Sequence, residues 1–298
     1  MSLFNRLLVT GLPLVPKAIV GRVASRYVAG EALADAVRVV RKLNEQGAMA
    51  TIDVLGEEVS EREKALAAVE EYLRVFEAID RERLDSNVSI KLTLLGLKID
   101  EGFCRDNVER IVDTAKRFGN FVRIDMEDHT TTDATLRIFH DLFPRYGNVG
   151  VVLQAYMRRT LRDIGELPPG SSARICKGIY VEPRAVAWKG YDTVRAAYVH
   201  ALEKLIANGI YPGIATHDEY LSCQAVGLIE RYGLKREQYE FQMLLGVDEE
   251  LRRILIAGGH RLRVYVPYGG DWYPYSIRRL RENPEVARHV LRAMLSGR

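Results

Sequence analysis

Short apolar, β-branched stretches recur along the chain, and each is followed by a longer segment whose apolar residues return every three or four positions. The strand pattern falls at 49–53, 88–92, 121–125, 149–154, 173–176, 213–216, 239–244 and 262–266. Helical periodicity is clearest at 31–46, 61–81 and around 194–207. Two further helices, 273–283 and 284–294, follow the last strand, with Pro284 suited to a first helical position. Eight strands alternating with helices predict a parallel sheet closed into a (β/α)8 barrel, with an open doubly wound sheet as the alternative. No Ser/Gly-rich linker, low-complexity stretch or repeat divides the chain. The expectation is therefore one catalytic domain over 1–298, with N-terminal helices in 1–46 and the barrel and final helices in 47–298.

Composition changes this picture little. The net charge of +3 comes from 43 basic residues interleaved with 40 acidic ones, which argues against a nucleic-acid binder and leaves only weak attraction to an anionic membrane. Cys104, Cys176 and Cys223 are widely spaced and form no CxxC, so neither a disulfide framework nor a zinc site is expected, and a reducing cytosol is the default compartment. The apolar stretch 7–20 has the look of a signal-peptide core, but Thr10, Gly11, Pro13, Pro16 and Lys17 interrupt it. Short helices packed on the main domain are the expectation there. No apolar run is long enough for a membrane span.

The chemistry gathers at the C-terminal ends of the strands, where barrel enzymes keep their active sites. Asp53 with Glu57, Lys91, Asp125 with Glu127, Gln154, Arg174 with Lys177, Thr216 with His217, Gln242 and Tyr265 all sit at such ends. One polar residue there is a rim salt bridge or a helix cap; a full ring of them points to one shared cavity. Lys91 lies between Ile90 and Leu92 and must find an anion or water. Cys176 reads as a small core hydrophobe, and Asp53 with Glu57 as supports of the first loop. The run Asp125-Met126-Glu127-Asp128-His129 invites a metal, but its side chains alternate in direction along a strand, so no metal is expected. Neither GxGxxG after the first strand nor GxxxxGK[ST] is present, nor GxSxG or HExxH, so a large cofactor would have to lie in the barrel mouth.

Several segments, in order, resemble the proline dehydrogenase family. They are Ser89-Ile90-Lys91-Leu92, Ile124-Asp125-Met126-Glu127-Asp128-His129, Gln154-Ala155-Tyr156, the stretch from Arg174 to Tyr180, Ala215-Thr216-His217-Asp218, Phe241-Gln242-Met243-Leu244, the stretch from Tyr265 to Gly269, and the stretch from Tyr275 to Asn283. The resemblance runs over about 48–295 and is closest to the short monofunctional bacterial form. It implies a distorted (β/α)8 barrel holding FAD noncovalently, with the last helix over the flavin and carrying the substrate clamp. It further implies oxidation of L-proline to Δ1-pyrroline-5-carboxylate, with a membrane quinone taking the electrons and a pyrroline-5-carboxylate dehydrogenase as a partner. The enzyme would be cytoplasmic, peripheral on the inner face of the cell membrane.

Residue by residue, the resemblance puts Asp125, Arg174 and Tyr265 at the reacting centre, with Arg174 near the flavin N5 edge. Met126, Gln154, Lys177, Gly178, Ile179, Thr216 and His217 would contact the flavin. Lys91, Arg278 and Arg279 would meet the substrate, Tyr180, Tyr265 and Tyr275 would wall the pocket, and Glu282 would support the arginines. Ile179 and Cys176 stand where the family usually has alanine and valine, which leaves the pocket volume open. Tyr275, Arg278, Arg279 and Glu282 share one helix face by their spacing. Two other readings compete: a lyase or aldolase barrel with a Schiff-base lysine, Lys91 or Lys177, and a non-enzymatic protein that binds a small ligand or a membrane surface.

Overall fold

In a computed structural model, which describes residues 26–273 and 275–276, eight parallel strands close into a barrel in simple sequential order. The strands are β1 (Met49–Val54), β2 (Ser86–Ile90), β3 (Val122–Ile124), β4 (Val149–Gln154), β5 (Ser172–Cys176), β6 (Tyr211–Ala215), β7 (Glu240–Leu244) and β8 (Leu262–Tyr268). Helix α1 (Leu33–Glu45) precedes β1. The connecting helices are α2 (Arg62–Arg81), α3 (Glu101–Arg117), α4 (Thr132–Tyr146), α5 (Thr160–Glu166), α6 (Tyr191–Ala207), α7 (Glu219–Arg231) and α8 (Glu249–Ala257). The open-sheet alternative is excluded because β8 pairs with β1, Thr51 lying opposite Tyr265. No helix among the described residues is long and apolar enough to cross a membrane. The helices expected before residue 26 lie outside the described residues, as do most of the two expected at the end and, with them, Arg278, Arg279 and Glu282.

All eight expected strands form, with ends shifted by a residue or two. The third stops at Ile124, although the Asp125 N–H still donates to the Ile90 carbonyl at 2.8 Å. The second also stops early, at Ile90, because Leu92 opens a turn in which the Leu95 N–H donates to its carbonyl. Lys91 and Asp125 thus stand at the barrel rim.

Strand periodicity explains the interior. Thr51, Gln154, Arg174, Gln242 and Tyr265 line a central cavity. Their strand neighbours Ile52, Leu153, Ile175, Phe241 and Val264 belong to the apolar layer under the helices, since successive side chains alternate sides. The outer layer is a continuous core with Ile52, Ile90, Ile124, Ile175 and Val264 fully buried. Closure of that shell drives the fold; at roughly 25 cal/mol per Å² of apolar surface removed from water, each such side chain contributes about 2 kcal/mol. The inside of the barrel, packed with branched apolar side chains in many barrels, is polar and charged here.

Candidate active site

A cavity of about 590 Å³ opens at the C-terminal ends of the strands. Its centre is Arg174 on β5, only 8% exposed. Arg174 Nη1 donates to Asp125 Oδ1 at 2.6 Å and Nη2 to Ser89 Oγ at 3.1 Å, while Nε donates to Gln242 Oε1. Partners on β2, on β7 and just past the end of β3 therefore fix the guanidinium plane. Asp125 Oδ2 accepts from the Tyr265 hydroxyl at 2.8 Å, and that hydroxyl accepts from Lys91 Nζ at 3.2 Å. Lys91 in turn pairs with Asp53 at 2.6 Å.

Burial pushes the Asp53 carboxyl up to about 6 against the pull of Lys91, and its Oδ2 has no hydrogen-bond partner among the described residues. For Lys91, burial opposes the charge, but Asp53 and Asp125 outweigh it and hold its pKa above the usual lysine range. Burial, with Asp125 and Asp53 nearby, pushes the Tyr265 phenol well above its ordinary value, so it is a neutral donor at physiological pH.

The flanks of the cavity differ in character. Met126, Val152, Ile179, Met243 and Leu244 supply apolar wall, and Tyr180 and Tyr275 add aromatic surface. Gln154 donates to the Glu127 carbonyl at 2.9 Å, which leaves its side-chain oxygen as an acceptor for a ligand. His217 Nε2 accepts the Leu244 N–H at 2.8 Å, so the neutral ring carries its proton on Nδ1. Lys177 reaches Asp218 at 3.0 Å, and Asp218 is gripped by Arg195 through two contacts of 2.8 and 2.7 Å. Gly178 has φ +112°, and a Cβ there would lie 2.3 Å from the Tyr156 ring, so the chain can pass Tyr156 at this point only as glycine.

Most of the residues expected at the site converge on this cavity: Lys91, Asp125, Met126, Gln154, Arg174, Lys177, Gly178, Ile179, Tyr180, His217, Tyr265 and Tyr275 all line it. Thr216 does not; its hydroxyl accepts the Asp218 N–H at 3.0 Å and so shapes the loop behind His217. Cys176, expected in the core, is half-buried on the cavity wall because it shares the Arg174 face of β5. Ile179 is 44% exposed at the rim. Glu127 accepts from the Thr93 N–H at 2.9 Å and from its hydroxyl at 2.5 Å, while the His129 N–H donates to Glu182 at 2.8 Å. Among the described residues no three His, Cys, Asp or Glu side chains converge as metal ligands would.

One layer was not anticipated. Two residues earlier on their strands, toward the N-terminal end of the barrel, Arg123, Glu240 and Arg263 form a buried floor. Glu240 accepts from Arg263 Nε at 2.8 Å and Nη2 at 3.1 Å. Burial opposes its charge, but Arg263 and Arg123 outweigh it and draw the carboxyl down to about 2. Burial, together with the neighbouring Arg174 and Arg263, lowers Arg123 to about 9. A charged residue on an otherwise apolar strand was the available signal, the same one that marked Lys91.

The proline dehydrogenase family profile matches residues 36–182 and 183–292. The chain is 36% identical over 282 residues to proline dehydrogenase of Deinococcus radiodurans, covering 92% of this chain and 90% of that one. It is 37% identical over 272 residues to proline dehydrogenase 2 of Bacillus subtilis, covering 91% and 90%. Among solved structures, proline utilization A from Bdellovibrio bacteriovorus, inactivated by N-propargylglycine, superposes with a TM-score of 0.82 at 23% identity, over 88% of this chain. The match takes in 32% of that longer chain, so this likeness concerns the barrel fold alone.

Proposed function

The chain belongs to the proline dehydrogenase family, and on that premise we propose that it oxidises L-proline to Δ1-pyrroline-5-carboxylate with a noncovalent FAD seated in the barrel cavity. The observation that carries the reading is the cavity itself. Rigidly held cations, Lys91 and Arg174, face a space whose other walls are apolar and aromatic. A compact amino acid with an apolar ring and a flat, acceptor-rich cofactor both need that combination.

The donor set fits the flavin. Arg174 and Lys177 offer positive charge to an electron-rich edge, and the Gln154 side-chain oxygen offers an acceptor to a ring N–H. Met126, Gly178, Ile179 and His217 would complete the seat, with Thr216 acting through the loop it shapes. When bound, the flavin supplies the hydride acceptor; the chain supplies orientation and field.

Lys91, pinned by Asp53, attracts the substrate carboxylate; Arg278, Arg279 and Glu282, which the family resemblance assigns to the same carboxylate, lie outside the described residues. Tyr180, Tyr265 and Tyr275 enclose the ring and exclude water. The cations around the site disfavour a charged secondary amine, so the substrate nitrogen loses its proton more readily. Asp125 holds Arg174 through one oxygen and takes the Tyr265 hydroxyl through the other, so the arginine and the ring wall move together. The electrons pass on to a membrane quinone, and a pyrroline-5-carboxylate dehydrogenase consumes the product. Membrane association is peripheral.

The Schiff-base alternative needs a neutral lysine amine, whereas Lys91 is held charged against Asp53. The purified protein is expected to be yellow and to release its flavin into the supernatant on acid precipitation. Flavin retained on the denatured chain would refute noncovalent binding, and a protein that takes up no flavin would refute the reading as a whole.

A further inference from the structure

Arg174 has one contact whose direction is set from below. On β7, Glu240 and Gln242 stand two residues apart and share the interior face. Gln242 Nε2 donates to Glu240 Oε1 at 2.6 Å, and Gln242 Oε1 accepts from Arg174 Nε. The two ends of a side-chain amide are nearly identical in shape, so packing alone does not choose between them. Charge does. Glu240, paired with Arg263, is a carboxylate that can only accept, and Arg174 is a guanidinium that can only donate. An amide between them satisfies both in one orientation; turned over, it sets donor against donor and acceptor against acceptor.

The space for this amide is also prepared. Gly213 on β6 lies beside it, and a Cβ at that position would stand 2.6 Å from Gln242 Nε2. Arg174 itself is backed by the same glycine, its Cα lying 3.4 Å from that Cβ position. The bare backbone at Gly213 thus leaves room for the amide to lie against Arg174.

We propose that Gln242 and Glu240 are positioning residues: the charge of Glu240 orients the Gln242 amide, and the amide aims the Arg174 guanidinium at the reacting centre. The proposal rests on the functional reading above for what Arg174 does, but not for how it is held. Loss of one charge-assisted hydrogen bond corresponds to ~10- to 100-fold in kcat/KM if the whole effect is felt in the reaction.

The test is a double-mutant cycle on the flavin-loaded enzyme, joined to structures of the ligand-free variants. Gln242→Met keeps the shape and removes both polar ends; Arg174→Met removes the group being aimed. Gln242→Met should lower proline kcat/KM by ~10- to 100-fold. The Gln242→Met/Arg174→Met double variant should fall within about threefold of Arg174→Met alone, because the amide acts only through the arginine. The midpoint potential of the bound flavin should shift in the same direction in both single variants and no further in the double. Should Gln242→Met fold poorly, Gly213→Ala displaces the same amide while keeping every polar group, and its activity loss should vanish in the Arg174→Met background.

Independently of any activity, a crystal structure of Gln242→Met or Gly213→Ala should show the Arg174 guanidinium turned from its wild-type plane. Additive losses in the cycle, or an unmoved guanidinium, would overturn the proposal. A wild-type protein without flavin or proline turnover would instead overturn the functional reading, while the crystallographic result would still decide this one.

Discussion

At the floor of the barrel, Glu240 is clasped by Arg263, and Arg123 donates to the Val151 and Ser172 carbonyls at 3.2 and 2.8 Å. One layer up, at the mouth, Asp53 has one oxygen without a partner among the described residues, and Lys91 and Arg174 face an open cavity. The residue types are the same, yet Glu240 titrates down to about 2 and Asp53 up to about 6. Burial acts on both. At the floor two arginines overcome it; at the mouth one lysine does not, because Asp125 adds a like charge nearby. The floor's charged side chains are all hydrogen-bonded within the protein and make a rigid base, whereas the mouth turns two cations toward open space and so has binding capacity left for a ligand.

Arg263→Met breaks the comparison most severely. It strands Glu240 in the interior, 3% exposed, and should cost on the order of 3–5 kcal/mol in urea unfolding. Unchanged stability would mean that the floor is not a structural base. Arg174→Met, at the mouth, should reverse the balance. We expect proline kcat/KM to fall roughly 100- to 1000-fold, on the scale of a lost electrostatic stabiliser, with a smaller loss of stability than Arg263→Met because the cavity admits water to Asp125. Equal stability costs at the two sites would erase the distinction.

Titration sharpens the same contrast. Glu240 has a folded pKa lowered from 4.5 to about 2, so its contribution to stability is present above about 4.5 and is lost as pH falls toward 2. Asp53 has a folded pKa raised from 3.8 to about 6, so the folded state binds the extra proton and its contribution declines as pH rises from about 4 to 6. Urea midpoints measured across this range should lose part of the acid limb in Glu240→Gln and part of the decline above pH 4 in Asp53→Asn. The reverse pattern would contradict the assignment of the two carboxylates. The smallest effect is expected at Ile179, 44% exposed at the rim: Ile179→Ala should change the ratio of kcat/KM for proline over a ring-substituted analogue by a factor corresponding to about 1 kcal/mol. No change in the ratio would show that Ile179 does not bound the substrate.

The mouth was legible in the sequence and the floor was not. Lys91 and Asp125 directly follow strands whose apolar alternation is plain, and Arg174 and Tyr265 lie inside segments read as strands and face the cavity at the end where a barrel gathers its chemistry. Arg123, Glu240 and Arg263 stand near the starts of theirs. Nothing local marks Glu240 as the partner of Arg263 or Gln242 as the partner of Arg174; those pairs exist only once register and closure set β5 to β8 side by side. Cys176, read as a core residue, packs against the core but also borders the cavity. It follows the buried Ile175 by one residue, and a single step along a strand moves a side chain from the outer core to the cavity.

The central claim is that this cavity brings L-proline and a flavin into reacting contact. Its most direct test is anaerobic addition of L-proline to the purified flavin-loaded protein, followed in the visible spectrum without any added electron acceptor. The account predicts loss of the oxidised flavin absorption, one flavin bleached per proline consumed, with Δ1-pyrroline-5-carboxylate trapped in equal amount. A flavin spectrum that stays oxidised at saturating proline would contradict it.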